Sequence, residues 1–389
     1  RYECCAMLAN GARCSIGDQL HPVGRLDETA YDTIGEAYRE VEVKEPFVNG
    51  AYNIADLAVI YSQSTWAEKA FREKLHQHSS DIGAARVLLE EHILFDMVDA
   101  EADISGYKMV ILPEEAVMNS ALEAKLKRYL EEGGKLMLCG DSGILDGEMC
   151  FDVGGEVGEE SPYQPDFILP VPECCPDFLK EPMVMYTRSR RLTVGEGESL
   201  GDVYDPYFNR TWEHFCSHQH TPARPEPSGF ACGAMHGNLL YLAHAAFSLY
   251  RFAGSVTSRQ YLAKCVRKLL ADDERLRLEG FPSTGRVTLM QQPRQQRYVM
   301  HLLYANTVNR GGPAEMNGGN VGGKEQQSFE VIEDLVPLYD IGLRLRLDES
   351  IKEVRLEPEG EPIEFTLRDG AVCLQLPRLL CHQMIAFYY

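Results

Sequence analysis

The sequence predicts an α/β protein in which a doubly wound parallel sheet precedes an antiparallel β-sandwich. Between residues 54 and 280, apolar runs such as "ADLAVIYS" and "KLMLCG" alternate with helical segments such as "DIGAARVLLEEH", for which Asp81 is a predicted N-cap. This alternation is typical of βαβ units with helices on both faces of a parallel sheet. From Pro282 the pattern changes to short runs with period-two alternation, including "GRVTLMQQ" and "HQMIAFYY". These runs indicate a sandwich over residues 283–389.

The first 45 residues predict a helix, a strand, a polar loop and a second helix. "ARCSI" has the character of a short buried strand, and Asp27 precedes a segment whose apolar residues recur at helical spacing. Between them lies "SIGDQLHP". Substrate-binding groups of α/β barrels project from the carboxyl ends of strands. We therefore expect Asp18, Gln19 and His21 to bind substrate, with an ordinary polar turn as the alternative.

Composition excludes several classes of partner. The chain carries 38 Lys plus Arg against 59 Asp plus Glu, a formal charge of −21. That field repels phosphates and anionic lipids, so neither nucleic acid nor a membrane is an expected partner. The twelve cysteines include adjacent pairs, and a chain this long needs no covalent staples, which favours free thiols in a reducing cytoplasm. Because the chain begins with Arg1, we expect a fragment or a processed product.

Three short motifs suggest chemistry, and each has a simpler interpretation. "GGNVGGKE" spaces Gly318, Gly323 and Lys324 as a phosphate loop would, but Glu325 stands where Ser or Thr should hold magnesium. Because the motif lies between predicted strands, a hairpin tip is favoured. "LMLCGDSGIL" could expose Cys139 or Ser142 as a nucleophile after a strand, but it lacks the G-x-C-x-G and G-x-S-x-G patterns. A buried cysteine before a turn is favoured.

The third motif is "FCSHQHTP". In an extended chain it would place Cys216, His218 and His220 on one side, and these residue types suit zinc. No fourth ligand is evident, so hydrogen-bonding histidines are favoured over a metal site. The sequence predicts no cofactor and no resident metal.

The order of these segments resembles a known family. "YECCAMLANGARCSIGDQLHPVGRLDETAYDTIGEAY", "ISGYKMVILP", "YLEEGGKLMLCGDSGIL", "FCSHQHTP", "GFPSTGRVTL" and "EVIEDLVPLYDIGLRLRL" occur together, nearly from end to end. They are similar to bacterial α-L-fucosidase-like glycoside hydrolases with a hypothetical-glycosyl-hydrolase barrel and a β-galactosidase trimerisation domain. The resemblance implies that residues 1–45 are the last βα unit of a TIM barrel. It makes residues 54–280 a flavodoxin-like, class I amidotransferase-like trimerisation domain, followed by the sandwich.

The resemblance also implies a function. The chain would be the C-terminal part of a homo-oligomeric glycoside hydrolase acting on α-L-fucosides or related sugars. The catalytic acid and nucleophile would come from earlier barrel strands, so no catalytic residue is assigned here. Asp18, Gln19, His21, His218 and His220 would bind the carbohydrate. A non-catalytic assembly or carbohydrate-binding module and an amidotransferase-like enzyme are the alternatives.

Overall fold

The computed structural model describes residues 1–18, 20–66, 79–310 and 329–389. They form two compact units, one of residues 55–274 and one that combines residues 1–54 with 275–389. The mixed α/β class predicted from the sequence is confirmed, because parallel and antiparallel sheets are both present. Within the described residues, no helix is long and apolar enough to cross a membrane.

A seven-stranded sheet forms the centre of the unit of residues 55–274. Its strands, from one edge to the other, are Glu198–Ser199, Gly233–His236, Leu239–Leu242, Lys135–Cys139, Met109–Leu112, Leu57–Ile60 and Phe95–Val98. The last five run parallel, and the first two are antiparallel additions. Numbered along the chain, the parallel strands lie in the order 2-1-3-4-5. The direction of winding therefore reverses between Leu57–Ile60 and Met109–Leu112, the topological switch point of the sheet.

Both faces of this sheet are buried, as the continuous apolar runs predict. Leu57 and Val59 belong to one hydrophobic cluster, whereas Ala58 and Ile60 belong to another. The described helices of this unit are Ser79–Glu90, Ser120–Glu131, Ala246–Ala253 and Val256–Leu270. Asn119 begins the second of these helices, and its side chain accepts hydrogen bonds from the backbone N–H groups of Ala121 and Leu122.

The Pro- and Gly-rich region after the fourth parallel strand contains short antiparallel strands. They are Ile144–Leu145, Glu148–Met149, Gly155–Glu160, Asp166–Pro170, Met183–Met185, Arg190–Val194 and Gly201–Tyr204. A β-bridge joins Ser189 to His244, just beyond the end of the fifth parallel strand. The region therefore brings Asp166 and Arg190 to the carboxyl edge of the parallel sheet.

Two antiparallel sheets form most of the other unit. The six-stranded sheet has the order Tyr52–Asn53, Arg286–Gln292, Arg297–Leu303, His382–Tyr388, Glu353–Glu357 and Glu361–Pro362. The four-stranded sheet has the order Leu276–Glu279, Leu338–Arg346, Ala371–Leu379 and Phe365–Arg368. Val308–Arg310 and Phe329–Val331 pair separately.

The strand "ARCSI", which was predicted between the first two helices, is absent. Helices Tyr2–Ala9 and Glu28–Lys44 form as expected, and Asp27 accepts a hydrogen bond from the Ala30 N–H at 3.1 Å. Between them, residues 12–16 have no regular secondary structure, and Ile16 is exposed. An isolated strand cannot satisfy its backbone groups, and no described strand pairs with these residues.

Candidate functional site

Polar side chains converge at the carboxyl edge of the parallel sheet in residues 55–274. Glu114 follows the strand Met109–Leu112, Cys139 ends the next strand, and His244 follows the strand Leu239–Leu242. The carboxyl ends of parallel strands meet at one edge, which is where sheets of this class bind ligands. This edge is therefore the candidate site.

Glu114 is the most perturbed acid at this edge. Its side chain is only 8% exposed, and Oε1 accepts a hydrogen bond from the Ser248 N–H at 2.6 Å. Oε2 is buried and has no hydrogen-bond partner among the described residues. Burial raises the pKa of Glu114 to about 7, although the bond from Ser248 works in the opposite direction. The carboxyl group can therefore gain or lose a proton near neutral pH.

Cys139 lacks the character of an activated nucleophile. It is fully buried, and burial, with a further contribution from the Glu114 charge, raises the pKa of the thiol well above its usual value. Ser142 accepts a hydrogen bond at Oγ from the Cys139 N–H at 2.8 Å and thereby stabilises the turn. Since the thiolate is the reactive form, a neutral buried thiol is a poor nucleophile.

Alkylation tests this description of Cys139. We expect iodoacetamide to leave Cys139 unmodified in the native protein at neutral pH, while half-buried Cys216 reacts. Peptide mass spectrometry after timed quenching measures both residues in one sample, and unfolding in urea should make Cys139 reactive. Native labelling of Cys139 at the rate of Cys216 would contradict the prediction.

A buried acid–imidazole pair lies at the same edge. His244 Nε2 is 2.5 Å from Asp166 Oδ1, and Ser189 Oγ donates to Asp166 Oδ2 at 2.6 Å. All three residues are buried. Because the carboxylate lies between the hydroxyl and the imidazole, the histidine is not placed to deprotonate the serine as in a catalytic triad. The arrangement is a structural clamp between the strand Asp166–Pro170 and the parallel sheet.

A cleft of about 380 Å³ opens at the switch point. We call it the switch-point cleft, and its polar lining comprises Trp66, Glu114, Glu115, Asp141 and Arg190. Its apolar lining includes Ala116, Met118 and Ile144. This cleft was not predicted from the sequence. The one available signal was the Glu114–Glu115 pair directly after "YKMVILP", at the end of a predicted strand.

The predicted substrate-binding residues at the start of the chain are accessible. Asp18 and His21 are both exposed. The His21 backbone forms a turn, since its carbonyl accepts a hydrogen bond from the Gly24 N–H at 2.8 Å. Gln19 lies outside the described residues. Binding by these residues stays a prediction.

The two predicted histidines of "SHQHTP" have different environments within residues 55–274. His218 is exposed, and its carbonyl accepts a hydrogen bond from Arg210 Nη1 at 2.8 Å. His220 is half-buried, with its ring centroid 5.8 Å from those of Phe167 and Tyr186. The structure therefore leaves the His218 side chain free to meet a ligand and packs the His220 ring inward. Their binding roles remain predictions.

One set of potential metal ligands occurs among the described residues, in the unit of residues 1–54 and 275–389. Ligand atoms of Cys5, Glu40 and His382 lie within 4.8 Å of one another. The Lys44 ammonium donates to all three, at 2.9 Å from His382 Nδ1 and 3.5 Å from Cys5 Sγ. Burial raises the pKa of the Cys5 thiol to about 11. Lys44 thus provides the positive charge that these groups share.

The zinc alternative for Cys216, His218 and His220 gains no support, because these residues do not form such a set within the described part of the chain. Cys216 Sγ instead lies 3.4 Å from the His220 carbonyl oxygen. The "GGNVGGKE" segment, 318–325, lies outside the described residues.

A family comparison identifies the parallel-sheet region. The sequence model of the β-galactosidase trimerisation domain matches residues 55–159. Residues 55–159 are therefore similar to this domain family. The resemblance inferred from the sequence is confirmed, and the trimerisation domain is one that occurs in glycoside hydrolases.

Solved structures extend the similarity beyond the trimerisation domain. α-L-Fucosidase isoenzyme 2 from Paenibacillus thiaminolyticus superposes with a TM-score of 0.90 and 36% identity, over 100% of this chain and 56% of that one. A β-galactosidase from Bacillus circulans, at 13% identity and a TM-score of 0.59, shares the fold over 95% of this chain and 46% of its own.

Curated relatives match a smaller part of the chain. β-Galactosidase BglY of Alicyclobacillus acidocaldarius is 30% identical over 114 residues, which are 28% of this chain and 17% of that enzyme. β-Galactosidase GalA of Bacillus licheniformis is 28% identical over 119 residues, again 17% of the enzyme. The chain thus spans about half of the fucosidase and matches under a fifth of these two galactosidases.

Proposed function

We propose that the chain is the C-terminal part of an α-L-fucosidase-like glycoside hydrolase. The observation that carries the proposal is the similarity to the Paenibacillus fucosidase along the whole chain, at 36% identity. In this proposal the trimerisation domain assembles a homo-oligomer, and the substrate is a carbohydrate. Twelve free thiols support a reducing cytoplasm as the location.

The proposed domains follow from the same similarity. Residues 1–45 would be the end of a TIM barrel, residues 54–280 a flavodoxin-like trimerisation domain and residues 283–389 a β-sandwich. The strand order 2-1-3-4-5 supports the second assignment, since flavodoxin has this order. The two antiparallel sheets support the third.

Within the whole enzyme, Asp18, Gln19, His21, His218 and His220 would bind sugar hydroxyls. Exposure of Asp18, His21 and His218 supports this role, since their polar atoms are open to a ligand. His220 would bind from a half-buried position, since its ring also packs against Phe167 and Tyr186. The amidotransferase alternative requires a thiolate at Cys139, which burial disfavours.

Hydrolysis of nitrophenyl glycosides tests the proposal. We expect the protein encoded by the full gene to hydrolyse nitrophenyl α-L-fucoside. The 389-residue chain alone should be inactive, because the proposal places the catalytic acid and nucleophile on earlier strands of the barrel. In the full protein, Asp18→Ala and His218→Ala should each lower kcat/KM about ten-fold or more, since losing a hydrogen-bond partner for a substrate costs about 1–3 kcal/mol.

Matched controls are available for both substitutions. Exposed Asp32 controls for Asp18, and exposed His214, in the same loop, controls for His218. Asp32→Ala and His214→Ala should leave kcat/KM unchanged. Turnover by the 389-residue chain would show that the catalytic carboxylates have been misplaced. Unchanged kinetics in both test variants would reduce Asp18 and His218 to ordinary surface residues.

A further inference from the structure

We propose that Cys4 and Cys14 form a reversible disulfide under oxidising conditions, and that this bond fixes the segment before Asp18 to the helix Tyr2–Ala9. Both thiols are free in the structure. The proposal concerns residues 1–18 and does not depend on the glycosidase activity proposed above. It rests on the path of the chain after this helix, on the contacts between the two cysteines and on the exposure of Cys14.

The end of the first helix reverses the direction of the chain. The Gly11 N–H donates to the Leu8 carbonyl oxygen at 3.0 Å, and the Ala12 N–H donates to that of Met7 at 2.8 Å. These are the two hydrogen bonds of a Schellman motif. Gly11 has a φ of +70°, a left-handed conformation that glycine adopts without strain. The chain therefore turns back along the helix that it has just left.

This reversal brings the two cysteines together. Cys14 Sγ donates to the Cys4 carbonyl oxygen at 3.5 Å, and the two thiols are close enough to hydrogen-bond with each other. Both side chains pack in one hydrophobic cluster with Leu8 and Val41. Because an S–S bond is about 2 Å long, its formation requires the sulfurs to move closer together. Residues 12–16 can make this movement without breaking a helix or a strand, since they have no regular secondary structure.

Exposure distinguishes this pair from another pair of neighbouring thiols. Cys174 and Cys265 also interact with each other, but both are fully buried. Cys14 is half-buried, and Arg13 and Ser15 on either side of it are exposed. A small oxidant can therefore reach the Cys14 sulfur, and oxidation of thiols is selective for accessible sites.

Hydrogen peroxide is the oxidant that the proposal requires. The Cys14 thiolate attacks one peroxide oxygen, the O–O bond breaks, and Cys14 becomes a sulfenic acid as the first water leaves. The Cys4 thiol then attacks the Cys14 sulfur, the S–O bond breaks, and a second water leaves as the S–S bond forms. Two thiols thus lose two electrons and two protons, and hydrogen peroxide is reduced to two water molecules. Dithiothreitol reverses the reaction by thiol–disulfide exchange and is itself oxidised to a disulfide.

The bond would restrain the segment that leads to a predicted substrate-binding residue. Cys14 precedes Asp18 by four residues, and the chain between them has no regular secondary structure. A covalent link between residues 4 and 14 also lowers the conformational entropy of the unfolded chain. The unit of residues 1–54 and 275–389 should therefore unfold at a higher temperature when the bond is present.

Peroxide treatment of the reduced 389-residue protein tests the proposal. After timed exposure, N-ethylmaleimide blocks the remaining thiols, and trypsin separates the two cysteines because Arg13 lies between them. We expect a disulfide that links peptide 2–13 to peptide 14–25, which mass spectrometry detects and dithiothreitol removes. Fragmentation distinguishes Cys4 from Cys5 within the first peptide.

Substitutions assign the bond to its two sulfurs. Cys14→Ser should abolish the link, and its half-buried position makes it the variant that secures the test if a buried substitution fails to fold. Cys4→Ser should leave Cys14 as a sulfenic acid, which dimedone traps. Cys5→Ser is the matched control, because Cys5 is the next residue of the helix but packs in a different cluster, with Ala9 and Leu303. This variant should form the link as the parent does.

The pH dependence of the rate tests the role of Cys14. Burial, with a further contribution from the Cys4 thiol, raises the pKa of Cys14. Because the thiolate fraction rises ten-fold per pH unit below the pKa, the link should form about ten-fold faster at about pH 8 than at about pH 7. A rate that does not vary with pH would contradict attack by the Cys14 thiolate.

Thermal unfolding tests the effect of the bond. The peroxide-treated parent should unfold a few degrees above the reduced parent, and dithiothreitol should reverse this shift. Peroxide-treated Cys14→Ser controls for oxidation at other residues and should show no such gain.

Three further outcomes would overturn the proposal. The first is the absence of a link between peptides 2–13 and 14–25 after peroxide has oxidised Cys216, which is also half-buried. The second is a link that joins Cys5 to Cys14, or one that survives in Cys4→Ser. The third is equal unfolding temperatures for the linked and reduced parent, which would show that the bond does not restrain the chain.

Discussion

Replacing Asp166 by Ala is expected to lower the free energy of unfolding of residues 55–274 by about 3–5 kcal/mol, the range for breaking a buried pair. Asp166 is fully buried and binds both Ser189 and the His244 imidazole. Truncation would leave those groups without their acceptor. His244 Nδ1 already lacks a partner among the described residues, so the ring could not recover the lost bond from its other nitrogen.

Urea unfolding followed by circular dichroism measures this effect. Asp202→Ala is the matched control, because Asp202 is exposed on the strand Gly201–Tyr204, which pairs with the strand of Asp166. The control should unfold at nearly the parental urea concentration, and Asp166→Ala at a much lower one. Equal midpoints for the two variants would show that the acid–imidazole clamp contributes nothing to stability.

The parallel sheet was predictable from local sequence because each strand is a continuous apolar run. "LAVI" and "MVIL" are buried at every position, and such runs need helices on both faces. The apolar runs and the helices between them therefore carry enough information for the class of the sheet. The alternating runs after Pro282 predicted antiparallel strands for a similar reason, since only one face of each must be apolar.

Elements that depend on distant partners were not predictable in this way. "ARCSI" has strand composition, yet no described strand pairs with it, and residues 12–16 stay irregular. Asp81 resembles an N-cap, but it lies within the described helix Ser79–Glu90, and its carboxylate accepts from the Ser62 N–H and Oγ instead. In both cases a tertiary contact, or its absence, decides the outcome.

The switch-point cleft was missed for the same reason. Cysteine and histidine motifs are visible in a sequence because these residue types carry chemistry at short spacing. The pair formed by Asp141 and Arg190 joins residues 49 positions apart, and the bond from Ser248 reaches Glu114 across 134 positions. No local pattern marks such contacts, because the first arises only when the strand Arg190–Val194 folds back on the parallel sheet, and the second only when the helix Ala246–Ala253 packs beside it.

The pH dependence of stability should identify Glu114 as a buried acid. Its pKa is about 7 in the folded protein, against an ordinary value of 4.5, so the folded state holds a proton that the unfolded state has lost. Stability from this group is therefore fully present below about pH 4.5 and is lost as the pH rises through 7. The loss at about pH 8 is about 3 kcal/mol, from ~1.4 kcal/mol per pKa unit.

Glu114→Gln should remove this dependence, because glutamine does not titrate. Other groups titrate over the same range, so the quantity to measure is the difference in unfolding free energy between parent and variant, from urea titrations at intervals between about pH 5 and 8. The amide adds an offset that does not vary with pH. Because the parent loses stability as Glu114 ionises, the variant should gain about 2.5 kcal/mol relative to the parent between about pH 5 and 8. Glu159→Gln, at an exposed position, should track the parent at every pH. A Glu114→Gln curve parallel to that of the parent would mean that the carboxyl group is already ionised in the folded protein at about pH 5, and that Oε2 has a partner that stabilises its charge.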